Sequence, residues 1–155
     1  MSPLERWSLH VAALFTAATG LLDGGLRWFG QRMGEFGPEP SPWLGLAQHL
    51  HVLVAPLLVF ALGVMVRGHL WARLRAGERT GAGGRGTGLG LAFLIAPMVI
   101  SGYAVQIATD PAWRTALSWA HGISAGLFLL AYAGHALRTL LAPRAVPQAA
   151  AGLGR

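Results

Sequence analysis

The chain has 155 residues, of which 54% are hydrophobic and only 12% are charged, and it contains no cysteine. Its length suits a single domain, and the lack of thiols excludes disulfides, cysteine-ligated iron–sulfur clusters and covalently attached c-type haem. The net charge of +6 comes from arginines that flank apolar stretches, so it does not indicate a nucleic-acid-binding surface.

Four apolar stretches are each long enough to cross a bilayer, which takes about twenty residues. They span residues 9–29, 50–70, 88–108 and 117–140. The first is too long for a discarded signal peptide and lacks a convincing cleavage site, so we expect a retained helix. Because the connections are short, the pattern predicts an all-α integral membrane protein, an up-down four-helix bundle over residues 1–142.

The connections differ in composition. Residues 30–46 contain three prolines, which predicts a loop without a long helix. Residues 76–90 are rich in glycine and predict a flexible linker. The third connection is short, and its Asp110-Pro111 step suits a turn or the start of a short helix. Residues 143–155, rich in alanine, proline and glycine, predict a disordered tail.

Arginines are distributed unevenly between the two ends of these helices. If the N-terminus is cytoplasmic, nine of the twelve arginines lie on the cytoplasmic side, and only Arg27, Arg32 and Arg114 lie on the other side. This is the positive-inside asymmetry of membrane proteins. It predicts that both termini and the second connection are cytoplasmic.

Most of the six histidines sort into two membrane levels. His10 and His135 lie near the predicted cytoplasmic side, whereas His49, His51 and His121 lie near the outer side. The fourteen residues that separate His121 from His135 place them about 40° apart on one helix face and about 21 Å apart along its axis. Histidine is costly in hydrocarbon and tends to mark a functional path there.

Two imidazoles from facing helices at one depth are the ligand set of a b-type haem. No carboxylate lies beside these histidines and no Glu-x-x-His motif is present, which disfavours a zinc or di-iron centre. The pattern therefore predicts two haem b groups, one at each level. Gly20, Gly24 and Ala125 would leave room for the porphyrins, although small residues also simply let transmembrane helices pack closely.

The outer ligand from the second stretch has two candidates. His49 and His51 are about 200° apart on a helix, so only one of them can point into a given gap. His51 is followed one turn later by small Ala55, whereas His49 is followed by the larger Leu53. This difference favours His51.

The inner partner of His135 also has two candidates, His10 and His69. His69 lies eighteen residues after His51, which is five α-helical turns and about 27 Å, so it shares a helix face with His51. The mismatch of about 6 Å with the His121 to His135 separation favours His10. Arg6 and Arg138, three to four residues from His10 and His135, are candidate partners of the haem propionates or ordinary positive-inside arginines.

The chain resembles the four-helix di-haem cytochrome b subunits of membrane-bound nickel–iron hydrogenases and formate dehydrogenases, together with related bacterial di-haem cytochromes b. Arg6-Trp7-Ser8-Leu9-His10 resembles the basic-aromatic lead into their first-helix ligand, and the spacing of His121 and His135 resembles their last-helix ligand pair. Those relatives often carry a Ser/Thr-Gly pair about fourteen residues after the first ligand. Here Asp23 precedes Gly24, and Thr19-Gly20 comes one turn earlier.

The resemblance implies that His10 pairs with His135 near the cytoplasm and that a second-helix histidine pairs with His121 near the outer face. It also implies a multi-pass protein of the bacterial inner membrane that links the quinone pool to periplasmic or membrane redox subunits. We therefore expect an electron-transfer subunit rather than an independent enzyme. The alternatives are a stand-alone di-haem oxidoreductase acting on quinone and a small oxidant such as superoxide, and a haem-free membrane scaffold or proton-sensing transporter.

Overall fold

The computed structural model describes residues 2–71 and 85–141, except for the side chains of residues 69, 70, 85–87, 139 and 140. The described residues form four long helices, which are in chain order α1 (Pro3–Phe29), α2 (Leu44–Met65), α3 (Arg85–Ile107) and α4 (Pro111–Leu141). Each contains a stretch long and apolar enough to cross a membrane. Because these four helices account for most of the described residues, the chain is mostly helical, as predicted.

Helix α1 begins before the predicted apolar stretch because its first turn is capped. The Ser2 hydroxyl accepts a hydrogen bond from the Glu5 backbone N–H at 3.2 Å, and the Glu5 carboxylate accepts one from the Ser2 N–H at 2.7 Å. This reciprocal capping box satisfies two N–H groups of the kind that a helix start leaves unpaired. Pro3, at the first helical position, loses no hydrogen bond there.

Helix α4 also begins earlier than the apolar pattern suggests. The Asp110 carboxylate accepts a hydrogen bond from the Trp113 backbone N–H at 2.9 Å, which is the role of an N-cap. Pro111 follows at the first helical position. The Asp110-Pro111 step, predicted as a turn or short helix, therefore starts the long helix α4, and only residues 108–110 connect it to α3.

The proline-containing connection, predicted as a loop over residues 30–46, is shorter because Leu44 already begins α2. The rest of it holds no long helix, as predicted, but it does contain two short strands. Strand β1 (Arg32–Gly34) pairs antiparallel with strand β2 (Gly37–Glu39). Gly37 has a φ of +119°, a backbone conformation that side-chain-bearing residues rarely adopt, so glycine is required at this turn.

The predicted tail over residues 143–155 lies outside the described residues, as does the glycine-rich linker up to residue 84. From Arg85 onward the predicted linker is part of α3. Before that gap, α2 continues through a π-helical turn, Val66–Leu70. Such a turn closes its hydrogen bonds over one more residue than an α-helical turn does.

The helices pack as two pairs. The backbone of α1 lies close to that of α2, and the backbone of α3 lies close to that of α4, whereas close backbone approaches between the two pairs are few among the described residues. Small buried residues such as Ala13 in α1 and Ala61 in α2 allow the close approach within a pair. Larger side chains join the pairs in one buried cluster that includes Leu9, Leu58, Met98 and Phe128.

Large apolar side chains cover the outward faces of all four helices. The exposed fractions of Phe15, Phe60, Phe93 and Leu130 are 58%, 75%, 80% and 72%. Residues of these types are mostly buried in water-soluble proteins. The outward faces are therefore compatible with the hydrocarbon of a lipid bilayer, where helices satisfy their own backbone hydrogen bonds.

Candidate functional site

Two histidine rings from different helix pairs face each other. The ring centroids of His51 in α2 and His121 in α4 are 6.1 Å apart, and the ring planes are inclined by 58°. A metal–imidazole bond is about 2.0 Å long and the ring centre lies about 1 Å behind the bonding nitrogen, so two imidazoles on opposite sides of one iron have centroids about 6 Å apart. The observed separation fits a shared haem iron.

Hydrogen bonds to both rings leave the same nitrogen free. Nδ1 of His121 donates to the carbonyl oxygen of Met98 at 2.9 Å. The single hydroxyl proton of Thr19 is donated to the carbonyl oxygen of Phe15 at 2.9 Å, so the Thr19 oxygen accepts the bond from Nδ1 of His51 at 3.2 Å. With the proton on Nδ1, Nε2 of each ring keeps the lone pair that a metal requires.

Each ring also rests against a glycine of the neighbouring helix in its own pair. A Cβ atom placed on Gly20 in α1 would lie 2.9 Å from Cε1 of His51, and one on Gly102 in α3 would lie 2.9 Å from Cε1 of His121. Distances this short require the ring to move. Glycine at these two positions therefore sets how closely each histidine can lie against its neighbouring helix.

The two glycines belong to matching dipeptides, Thr19-Gly20 and Ser101-Gly102. The Ser101 hydroxyl donates to the carbonyl oxygen of Pro97 at 2.5 Å, as the Thr19 hydroxyl donates to that of Phe15. Gly102 was not among the residues selected from the sequence. The repeat of a hydroxyl-bearing residue followed by glycine, in the first helix of each pair, is the signal that identifies it.

The other small residues selected for porphyrin room lie in different surroundings. A Cβ atom on Gly24 would meet nothing within 4 Å, so space is open there. Ala125 packs against the buried cluster between the helix pairs. Asp23, which precedes Gly24, forms an ion pair with Arg27 at 3.2 Å.

If the His51–His121 pair holds a haem, we expect Gly20→Ala to weaken its retention by about 1–3 kcal/mol, the usual cost of overpacking a tight site. The added methyl group would displace the His51 ring from Thr19. The measurement is haem content of the purified variant during dialysis against a haem-binding competitor. Gly25→Ala is the matched control, because a Cβ atom there meets nothing within 4 Å. Equal haem retention by the two variants would contradict the role given to Gly20.

The choice between His49 and His51 follows from burial and contacts. His51 is partly buried and touches Thr19, Gly20 and His121, whereas His49 is exposed. The structure therefore brings His51, and not His49, to His121.

At the other end of the helices, His10 in α1 contacts α4 through Tyr132. The Tyr132 hydroxyl is hydrogen-bonded to Nδ1 of His10, and the Trp7 ring approaches the His10 ring edge-on with centroids 6.3 Å apart. His135 follows Tyr132 by three residues and so lies about one helical turn further along the same face. His10 and His135 are therefore found at the same end of the molecule.

Three other residues were predicted from the sequence to lie near His10 and His135, namely Arg6, Arg138 and His69. Arg6 and Arg138 are exposed, within about one turn of His10 and His135 respectively. The side chain of His69 lies outside the described part of the chain, while its backbone belongs to the π-helical turn. Because of this turn, the eighteen residues from His51 to His69 do not form five regular α-helical turns, and His69 remains the alternative to His10.

A second aromatic contact joins α1 and α4 at the end where His51 meets His121. The centroids of Trp28 and Trp119 are 4.6 Å apart with planes inclined by 51°. Both indole rings are about half exposed. Trp119 was not selected from the sequence, because its contact with Trp28 depends on how the two helix pairs pack together.

Among the side chains that the structure describes, which do not include that of His69, no group of three or more histidines, aspartates and glutamates lies close enough together to hold a metal ion. The candidate site consists instead of paired histidines from facing helices. No family model, no curated protein and no solved structure matches this chain. The functional assignment therefore depends on the sequence motifs and on the geometry of the histidines.

Proposed function

We propose that this chain is an electron-transfer subunit of the cytochrome b type, an up-down four-helix bundle in the bacterial inner membrane that holds two haem b groups. His51 and His121 hold the outer haem, and His10 and His135 hold the inner one. The observation that carries the proposal is the 6.1 Å separation of the His51 and His121 centroids, together with the hydrogen bonds that both rings form through Nδ1 rather than Nε2.

The arginine distribution supports one orientation of the bundle. With both termini in the cytoplasm, the exposed Arg6 and Arg138 lie at the cytoplasmic headgroup level, close to the inner pair of histidines. The Trp28–Trp119 contact then lies at the outer interface, where tryptophan is commonly found. In this orientation His51 and His121 would hold a haem on the side of a periplasmic or membrane redox subunit, and His10 and His135 would hold one on the side proposed for electron exchange with quinone.

Bound haem supplies a one-electron carrier whose reduction potential depends on its axial ligands and their hydrogen bonds. The chain supplies the ligands, their orientation and an apolar surrounding. The hydrogen-bond acceptors on the outer pair are the neutral Thr19 hydroxyl and Met98 carbonyl, so each imidazole remains a neutral ligand. The rise of about 21 Å between His121 and His135 covers most of the roughly 30 Å of hydrocarbon in a bilayer.

Electron transfer across a membrane tests this function. Liposomes that contain ferricyanide and carry the purified chain are treated outside with dithionite, and loss of ferricyanide absorbance is followed. The wild-type chain is expected to reduce the internal ferricyanide many times faster than empty liposomes do, because two haem sites span the hydrocarbon. His121→Ala, which removes one outer ligand, is expected to slow the reaction close to the empty-liposome rate.

The same experiment can refute the proposal. Equal rates for wild-type and empty liposomes, with the chain shown to be inserted and folded, would exclude transmembrane electron transfer. A His121→Ala rate equal to the wild-type rate would show that the outer histidine pair is not part of the route.

A further inference from the structure

Tyr132 lies near the proposed inner haem level, and its hydroxyl is hydrogen-bonded to a proposed haem ligand of another helix. It belongs to α4, eleven residues after His121 and three before His135. Its hydroxyl is hydrogen-bonded to Nδ1 of His10 in α1, and the ring centroids of the two residues are 5.9 Å apart. The contact therefore links the first helix pair to the second at the inner level.

The Tyr132 ring is itself held in place. It stacks on Phe128, with centroids 6.1 Å apart and planes inclined by only 12°. Phe128 is 5% exposed and belongs to the buried cluster that joins the helix pairs. The packing of the Tyr132 ring thus fixes the position of its phenol oxygen. The His10 ring is contacted edge-on by Trp7, which belongs to α1 as His10 does.

The position of one proton follows from the proposed ligation. If His10 binds iron through Nε2, that nitrogen carries no proton, so Nδ1 does. A partly buried Nδ1–H group requires an acceptor, and the Tyr132 oxygen is the partner the structure gives it. Such a bond orients the ring and increases its donor strength toward the metal.

We propose, on the basis of the proposed function, that Tyr132 is a positioning residue for the inner haem: its phenol oxygen accepts the Nδ1 proton of His10 and so presents Nε2 to the iron. This bond stabilises the ferric state, because a stronger donor ligand favours the higher charge on iron. Loss of the bond then raises the inner reduction potential and leaves the outer potential unchanged, since the outer rings have their own acceptors.

Tyr132→Phe in the full chain tests the proposal by redox titration of the haem bands. The variant keeps the ring and its stacking on Phe128, so two haems are expected to remain. One of the two midpoint reduction potentials is expected to rise by about 30–60 mV, which for one electron is a threefold to tenfold change in the reduction equilibrium. The other midpoint potential is expected to stay at the wild-type value. In a His121→Ala background, which keeps the inner haem, the remaining midpoint is expected to rise by the same amount.

Tyr103→Phe is the matched control, because Tyr103 is 55% exposed and is the only other tyrosine in the chain. It is expected to leave both midpoints unchanged. The proposal is overturned if Tyr132→Phe moves neither midpoint, moves both equally, or moves them no more than Tyr103→Phe does. A folded wild-type chain without haem overturns this proposal together with the proposed function, whereas bound haems with unmoved midpoints overturn this proposal alone.

Fluorotyrosine gives a second measurement that does not depend on the folding of Tyr132→Phe. Incorporated into a Tyr103→Phe chain, it labels Tyr132 alone with almost no change in shape. The electron-withdrawing fluorine makes the phenol oxygen a weaker acceptor, so the inner midpoint is expected to rise by less than in Tyr132→Phe. An unchanged midpoint in this protein would contradict the role of the Tyr132 oxygen.

Discussion

Replacing His51 with alanine is expected to reduce the haem content from two to one per chain, whereas replacing His49 is expected to leave both haems bound. His51 contacts His121, Thr19 and Gly20, and His49 is exposed at the surface of the same helix. Removal of one axial imidazole leaves the iron without one of its protein ligands. Haem-to-protein ratios and visible spectra of the purified variants measure the effect.

A double variant shows whether His51 and His121 share one iron. Each single alanine variant is expected to lose the same haem, so His51→Ala combined with His121→Ala should still hold one haem, and the two losses are not additive. A double variant without haem would show that the two residues serve different cofactors. If His49→Ala lost a haem while His51→Ala kept both, His49 rather than His51 would be the haem ligand.

Replacing His10 with alanine is expected to remove the inner haem and to leave an outer haem that can still be oxidised and reduced. His10 contacts Tyr132, about one turn from His135 on α4. His69→Ala is expected to keep both haems, with at most a shifted potential or slower exchange with quinone. Redox titration of the two variants, with haem content measured on the same samples, distinguishes them.

The opposite result would require a different arrangement of the cofactors. If His69→Ala lost a haem while His10→Ala kept two, both haems would have to lie in the gap between α2 and α4. The contact of His10 with Tyr132 would then be a helix-packing contact only. The predicted pairing of His10 with His135 would be wrong.

Much of the helix content could be predicted from the sequence, because helices long and apolar enough to cross a membrane appear as continuous apolar runs. The ends of the helices could not be predicted from hydropathy. Ser2 with Glu5 starts α1, and Asp110 starts α4, through hydrogen bonds of polar side chains outside the apolar runs. The π-helical turn after Met65 also leaves no hydropathy signal, although it changes which residues of α2 share a face.

Residue spacing along a helix sets axial separation, so the sequence predicts two levels of histidines. The residues that contact the histidine rings could not be predicted, because they come from neighbouring helices. Thr19 and Met98 accept bonds from the outer rings only because α1 packs on α2 and α3 on α4. Gly102 and Tyr132 could not be predicted for the same reason. Gly102 lies against His121, 19 residues later in the chain, and Tyr132 contacts His10, 122 residues earlier.

The number and type of haem in the wild-type protein test the central claim most directly. A pyridine haemochrome assay on the purified, folded chain should give two b-type haems per chain, both extractable into acidified solvent because the chain has no cysteine for covalent attachment. A folded sample that contains no b-type haem would contradict the account.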